Sequence, residues 1–130
     1  MSIQKQLSVF VENKIGSIYE LCSILSRENI NILGLLVSDD HDWGIVRLVV
    51  DNVQKAKDLL EDQRYVLGEN DVITTSFNNI PGEIAVLAEK LRKANISIEY
   101  TYATGGGEKM LAILSTSNNK EADRLLKGDR

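Results

Sequence analysis

The 130-residue chain has the composition of a folded, acidic protein. Apolar residues make up 43% of it, and the net charge is -4 with an isoelectric point near 5.0. The apolar content supports a hydrophobic core, and the acidic balance argues against a protein that binds nucleic acid or anionic membranes. The single cysteine, Cys22, cannot form an internal disulfide, which fits a reducing compartment. Since neither a signal-peptide pattern nor a long apolar run is present, we expect a soluble cytoplasmic protein.

The first 70 residues predict the element order β-α-β-β-α-β. Alternating apolar residues indicate the strands, and apolar residues at helical spacing indicate the helices. The predicted strands lie at 7–11, 30–37, 45–50 and 65–69, and the predicted helices begin near 18 and 53. Gly34 suggests a bulge in the second strand, Asn29 suits the end of the first helix, and Asp51-Asn52 suits the start of the second helix.

The second half of the chain repeats the first with an offset of 66 residues and no gap. Gly16 falls on Gly82, Asn13 on Asn79, and Leu25 on Leu91. Turn residues and core residues are what a retained fold keeps, so we predict two copies of one fold. Domain 1 is expected at residues 1–70 and domain 2 at 71–130. In domain 2 we predict strands at 72–77, 96–102 and 110–116 and helices at 82–93 and 120–127.

The second copy is expected to lack its last strand. Arg130 corresponds to Arg64, which precedes the fourth strand of the first copy. An unpaired strand edge is normally a liability. Three explanations are open: a partner chain covers the edge, the copy is three-stranded, or the sequence is a shortened form of a longer protein.

The two strand-to-helix turns are the candidate functional sites, because each carries a glycine, Gly16 or Gly82. Glycine lets the backbone turn tightly, and the first N–H groups of a helix have no internal acceptor while the dipole there is positive. A small anion such as a carboxylate is the natural ligand. The first turn carries Lys14 and Ser17, which suit an anion, whereas the second carries Ile80 and Glu83. We therefore rank the Gly16 site higher.

The motifs around these turns resemble those of ACT domains. Residues 79–84 (Asn-Ile-Pro-Gly-Glu-Ile) match the ACT turn, and residues 13–18 (Asn-Lys-Ile-Gly-Ser-Ile) match it except that Ile15 replaces proline. Residues 29–32 (Asn-Ile-Asn-Ile) match the start of the second ACT strand, and residues 95–98 (Asn-Ile-Ser-Ile) nearly do. The whole chain is similar to stand-alone proteins built of two ACT domains.

This resemblance implies an α+β fold of two ferredoxin-like βαββαβ repeats, with antiparallel sheets and helices on one face. It implies an allosteric regulatory protein rather than an enzyme, which senses an amino acid or a related carboxylate at an ACT–ACT interface without cofactor or metal. The resemblance also implies that ACT domains pair side by side through the second strand. A homodimer and a metabolic enzyme as partner are expected. The implied ligand-binding residues are Asn13, Lys14, Ile15, Gly16, Ser17, Ile18, Asn31, Leu33, Asn79, Pro81, Gly82, Ile84 and Ser97.

The main alternative is a ligand-free assembly module that dimerises or docks on a metabolic enzyme through its strand edges. Other users of this fold fit the sequence less well. An RNA-binding module needs paired aromatic residues and a basic surface, a metal carrier needs Cys-x-x-Cys, and an acyl-phosphate hydrolase needs an arginine in the first loop.

Several conspicuous side chains are interpreted as structural. Cys22 lies on the apolar stripe of the first helix, which predicts a buried thiol. Trp43 is expected to pack on the sheet, and Tyr100 and Tyr102 to share one strand face with Ile98. His41 in its acidic loop and the glycine run 105–107 predict solvated hairpins rather than a metal or phosphate site.

Overall fold

A computed structural model describes residues 3–127 of the chain. In order, its elements are β1 (Ile3–Glu12), α1 (Ser17–Arg27), β2 (Ile32–Asp40), β3 (Trp43–Val50), α2 (Val53–Asp62), β4 (Val66–Asn78), α3 (Glu83–Lys93), β5 (Ile98–Gly105), β6 (Lys109–Thr116) and α4 (Asn119–Lys127). They form two compact units. The first unit is Lys5–Asn70, and the second joins residues 3–4 to the described chain from 71 onward. The predicted α+β class is confirmed, and so is the element order apart from the two strands predicted at 65–69 and 72–77.

The first unit is a sheet of order β2-β3-β1-β4 with β2 at its edge. β1 and β2 both pair antiparallel with β3, and Leu48 of β3 lies opposite Leu7 on one side and Leu35 on the other. Alternate residues of β1 and β3 point to one face, where they close a core with α1 and α2. Leu21, Leu25 and Leu60 are the largest helical side chains in that core, and each is fully buried.

The second unit has the same plan, with the order β1-β4-β6-β5 and β5 at its edge. Its own core contains Ile73 and Leu114 from the strands and Leu91 and Leu126 from the helices. β6 pairs antiparallel with β4 and with β5.

The start of the chain takes the place of the strand that the second unit was expected to lack. Ile3 packs against the core of this unit, and Gln4 Nε2 donates a hydrogen bond of 3.0 Å to Thr74 Oγ1. β1 therefore lies beside β4 at the edge that sequence reasoning left uncovered. None of the three open explanations included this arrangement. Arg130 lies outside the described residues.

β4 corrects the prediction of two separate strands at 65–69 and 72–77. It is one strand of 13 residues, Val66–Asn78. The backbone stays extended through Gly68 and the polar residues that follow it. Gln6 Nε2 donates to Asn70 Oδ1 at 3.4 Å.

Matching bulges interrupt the two edge strands. In β2 the register shifts between Ile32 and Gly34, which confirms the predicted bulge. In β5 it shifts between Ile98, opposite Thr116, and Tyr100, opposite Ser115. Since neighbouring residues of a strand face opposite sides, Tyr100 leaves the face of Ile98, and so does Tyr102. The predicted common face for these three residues is wrong.

Asn29 ends α1 as predicted, with φ +59°, and its counterpart Asn95 has φ +60° after α3. A left-handed residue at this point lets the chain leave a helix, and asparagine tolerates it better than most residues. Among the described residues, no helix is both long and apolar enough to span a membrane.

Candidate functional site

The four helices begin in two different ways. α1 and α3 begin at Gly16 and Gly82, both with φ +92° and neither followed by a side-chain cap. α2 begins at Asn52, whose Oδ1 accepts a hydrogen bond of 3.2 Å from the backbone N–H of Lys55. In α4, Asn118 accepts the N–H of Glu121 in the same way, at 3.2 Å. Two helix starts are therefore closed by an amide side chain and two are left uncapped.

The uncapped starts present backbone N–H groups in open space. Glu20 N–H bonds to Gly16 O at 2.9 Å, but within the described chain the N–H groups of Ile18 and Tyr19 have no acceptor. A Cβ placed on Gly16 or on Gly82 would have no atom within 4 Å. Free donors, the positive end of the helix dipole and an unobstructed approach together make each turn suitable for a carboxylate.

Asn13 and Asn79 hold the two turns against the neighbouring hairpins. Asn13 donates from Nδ2 to Asp39 Oδ1 at 2.8 Å and to His41 O at 2.9 Å. Asn79 donates to the equivalent carbonyl, Gly107 O, also at 2.9 Å. Asn13 uses both N–H donors of its amide to fix the turn, so any contact that it makes with a ligand passes through its carbonyl oxygen.

The charges around the two turns are more alike than the sequence suggested. Lys14 Nζ lies 3.4 Å from the carboxylate of Glu12 in an exposed ion pair, so its charge is largely offset. Each helix also carries one acid in its first turn, Glu20 in α1 and Glu83 in α3. The difference is position, because Glu83 directly follows the glycine while Glu20 lies four residues after it. The preference for the Gly16 turn now rests on that spacing.

The predicted residues of the first repeat fall into separate places. Lys14, Ile15 and Gly16 line one hollow along α1, and Ile15 is fully exposed. Asn31 lines another hollow at the opposite end of α1, which has 11 residues and is therefore roughly 16 Å long. The side chain of Ser17 is buried. Within one copy, a small ligand cannot reach both Gly16 and Asn31.

The predicted residues of the second repeat are divided in the same way. Pro81 and Gly82 form an exposed turn, and Ile84 is half-exposed on α3. Ser97 directly precedes β5, and its N–H donates to Ser117 Oγ at 2.9 Å. The corresponding N–H of Asn31 donates to Asp51 Oδ1 at 3.1 Å.

Leu33, a predicted ligand-binding residue, belongs to an apolar strip on the edge strand β2 that sequence reasoning did not identify as an exposed surface. Leu33, Leu35 and Val37 are each a little under half exposed, although they stand beside the core. On the equivalent edge, β5, the counterparts are Glu99, Thr101 and Ala103. The sequence did contain a signal for this difference. At the offset of 66, polar or small residues on β5 replace the large apolar residues of β2, so β5 exposes less apolar surface.

The remaining conspicuous side chains fit structural roles with one exception. Cys22 is half-buried, and burial raises the pKa of its thiol, so the reactive thiolate is scarce at neutral pH. Trp43 is more exposed than predicted and borders a hollow with Phe10. No group of three or more potential metal-ligating side chains occurs among residues 3–127.

Comparison with known proteins agrees with this geometry. A family model described as an ACT domain pair matches residues 1–128. The fold is similar to the crystal structure of a protein from Bacteroides thetaiotaomicron that is 32% identical, with a TM-score of 0.92 over 98% of this chain and 88% of that one. No functionally curated protein matches the sequence.

An aspartate kinase regulatory subunit and part of an aspartokinase share the fold at lower identity. The ligand-free regulatory subunit of the Thermus thermophilus enzyme is 13% identical, with a TM-score of 0.74 over 98% of this chain and 96% of that one. Aspartokinase III of E. coli in complex with lysine and aspartate is 14% identical, with a TM-score of 0.62 over 98% of this chain and 30% of that one.

Proposed function

Because the chain belongs to the ACT domain pair family, whose members are amino-acid-binding regulatory domains, we propose that it senses an amino acid or a related carboxylate. The observation that supports this proposal most directly is the contrast between capped and uncapped helix starts. Asn52 and Asn118 cap two helices, whereas Gly16 and Gly82 leave two open. The ligand carboxylate is proposed to meet the N–H groups after Gly16. From the sequence repeat, we assign the two ACT domains to residues 1–70 and 71–130. We also propose a cytoplasmic location, because a single cysteine fits a reducing compartment.

The ligand's ammonium group needs an acceptor that the Gly16 turn does not offer within one copy. Asn13 bonds to Asp39, so this turn lies beside the end of β2, whereas Asn31 lies beside its start. Two β2 strands that pair antiparallel across a twofold axis bring the start of one beside the end of the other. We therefore propose a homodimer in which the partner subunit's Asn31 completes the site at Gly16.

The apolar strip on β2 supports this side of the molecule as the dimer interface. β2 has an open edge, and Leu33, Leu35 and Val37 lie along it. On β5, Thr101 Oγ1 donates to Ile113 O at 3.0 Å and Glu99 accepts from Ser115 at 3.0 Å, so both side chains have hydrogen-bond partners within the sheet. Covering the β2 edge therefore buries more apolar surface than covering the β5 edge.

Val37→Asp is expected to weaken dimerisation at least about 100-fold, because a carboxylate would be buried in an apolar contact. Ala103→Asp is the matched control at the equivalent position of β5 and should leave the dimer unchanged. Sedimentation equilibrium measures both dissociation constants. Equal effects of the two substitutions, or no effect of Val37→Asp, would remove β2 from the interface.

A thermal-shift screen with the twenty amino acids tests the sensing function. A ligand at about 100 times its dissociation constant adds about 2.7 kcal/mol to the free energy of unfolding. One amino acid or a few related ones should raise the melting temperature. If none does, the alternative gains support, namely a ligand-free assembly module that docks on a metabolic enzyme.

A further inference from the structure

A hollow in the first unit lies between α1 and the turn that leads into β4. It has a volume of about 290 Å³, and all the residues that line it belong to this unit. Val11 and Ile24, which are buried in the core, provide part of its apolar lining. The half-exposed rings of Phe10 and Trp43 border it. A small space with an apolar lining suits a small-molecule ligand.

Two opposite charges in the lining have no partner. Glu20 comes from α1, and Arg64 comes from the turn before β4. Within the described part of the chain, neither side chain makes an ion pair or a hydrogen bond, so these two groups are too far apart to pair with each other. The other two charges of the lining, Glu12 and Lys14, pair with each other at 3.4 Å. The hollow therefore offers one free carboxylate and one free guanidinium group.

The end of α2 does not explain why residue 64 is an arginine. Arg64 follows the helix with φ +68°, and the equivalent left-handed positions after α1 and α3 are occupied by Asn29 and Asn95. Asparagine adopts this conformation more easily than arginine does. An arginine here costs the backbone something that an asparagine would not, which points to a role for its guanidinium group.

Glu20 lies on the other side of the hollow, near the ring of Tyr65. Burial and the nearby carboxylate of Glu20 raise the pKa of Tyr65, so its hydroxyl stays protonated at neutral pH. The counterpart of Glu20 in the second repeat is Val86, which shows that the helix itself does not need an acid at this position. The negative charge of the lining therefore lies on the α1 side, and the positive charge lies on the side of the turn before β4.

We propose that this hollow binds a small zwitterion whose ammonium and carboxylate groups are separated by an apolar chain. The ammonium contacts Glu20, the carboxylate contacts Arg64, and the chain packs on Val11 and Ile24. A guanidinium group can donate two parallel hydrogen bonds to a carboxylate, and an ammonium group has three donors. The site goes beyond the proposed sensing function, because it needs neither the N–H groups after Gly16 nor a second copy of the chain.

The probe is 5-aminopentanoate, and the readout is the fluorescence of Trp43, which is the only tryptophan in the sequence. Norvaline is the matched ligand, because this isomer carries both charges at one end. Pentanoate and pentylamine each lack one of the two charges. We expect 5-aminopentanoate to bind at least about tenfold more tightly than any of these three compounds.

Substitutions of the two free charges test the contacts. Arg64→Asn, which suits the left-handed turn, and Glu20→Gln should each weaken binding of 5-aminopentanoate at least about tenfold. Arg27→Gln and Glu28→Gln are the matched controls, since both side chains are exposed at the far end of α1 and do not line the hollow. Both controls should bind as the unsubstituted protein does. Gly16→Asp should keep its affinity within about threefold, which separates this site from the amino-acid site.

Three results would each overturn the proposal. The first is equal affinity for 5-aminopentanoate and for norvaline, pentanoate or pentylamine. The second is unchanged affinity in Arg64→Asn or in Glu20→Gln. The third is loss of binding in Gly16→Asp, which would assign the fluorescence change to the helix start.

Discussion

Leu25→Ala and Leu91→Ala are each expected to lower the free energy of unfolding by about 3 kcal/mol. The two residues occupy equivalent positions on α1 and α3, and both are 0% exposed. Each sits in the centre of its own core, so truncation leaves a cavity that the surrounding side chains fill only in part. Since small proteins are stable by about 5–15 kcal/mol, either change removes a large fraction of the total.

Urea unfolding followed by circular dichroism measures these effects. Ser26→Ala and Lys93→Ala serve as controls, because both side chains are exposed on the same two helices and should change stability by less than about 0.5 kcal/mol. A large loss in only one of the two leucine variants would contradict two equivalent cores.

Gly16→Asp is expected to weaken binding of the sensed amino acid at least about 30-fold, because a carboxylate fixed at the helix start competes with that of the ligand. Gly16→Ala isolates this effect. Both substitutions place a side chain at φ +92° and should cost about 1–2 kcal/mol in stability, yet neither meets a neighbouring atom. The alanine variant should keep its affinity within about fivefold.

Isothermal titration calorimetry on Gly16→Asp, Gly16→Ala and Gly82→Asp measures the affinities. We expect Gly82→Asp to bind as the unsubstituted protein does. Loss of binding in Gly82→Asp alone would reverse the ranking of the two turns, and equal loss in the aspartate and alanine variants of Gly16 would remove the electrostatic explanation.

The fold was predictable because its strongest signals are local and occur twice. Gly16 and Gly82, and the apolar stripes that contain Leu25 and Leu91, mark the same strand-turn-helix unit at a fixed offset. Two independent copies of a pattern reduce the chance that either arises by accident. Glycine at the turn was also readable for a physical reason, since both residues adopt the φ of +92° that other residues avoid.

Features that depend on distant parts of the chain were not predictable. Nothing in the sequence of Ile3 and Gln4 indicates that they lie beside Thr74, because that contact joins residues 70 positions apart. The bulge in β5 was missed because Tyr100 stands there at the position that Gly34 occupies in the other repeat, so the glycine signal is absent. These outcomes depend on which strands meet, which local patterning does not specify.

The backbone N–H donors of the candidate site were predictable from the sequence, but the relative positions of the other site residues were not. The open helix start follows from Gly16 itself. Gly16 and Asn31 lie at opposite ends of α1, which is roughly 16 Å long. This separation became clear only from the direction in which the helix runs between its two strands. The hydrogen bonds from Asn13 to Asp39 and His41 could likewise not be predicted without the folded structure.

The most direct test of the account is a ¹H–¹⁵N NMR titration with the amino acid that stabilises the protein most. We predict saturable shifts at the amides of Gly16, Ile18 and Tyr19, whose N–H groups lie at the open start of α1, and loss of those shifts in Gly16→Asp. Saturable binding that leaves these three amides unmoved would contradict the proposal that the helix start holds the ligand.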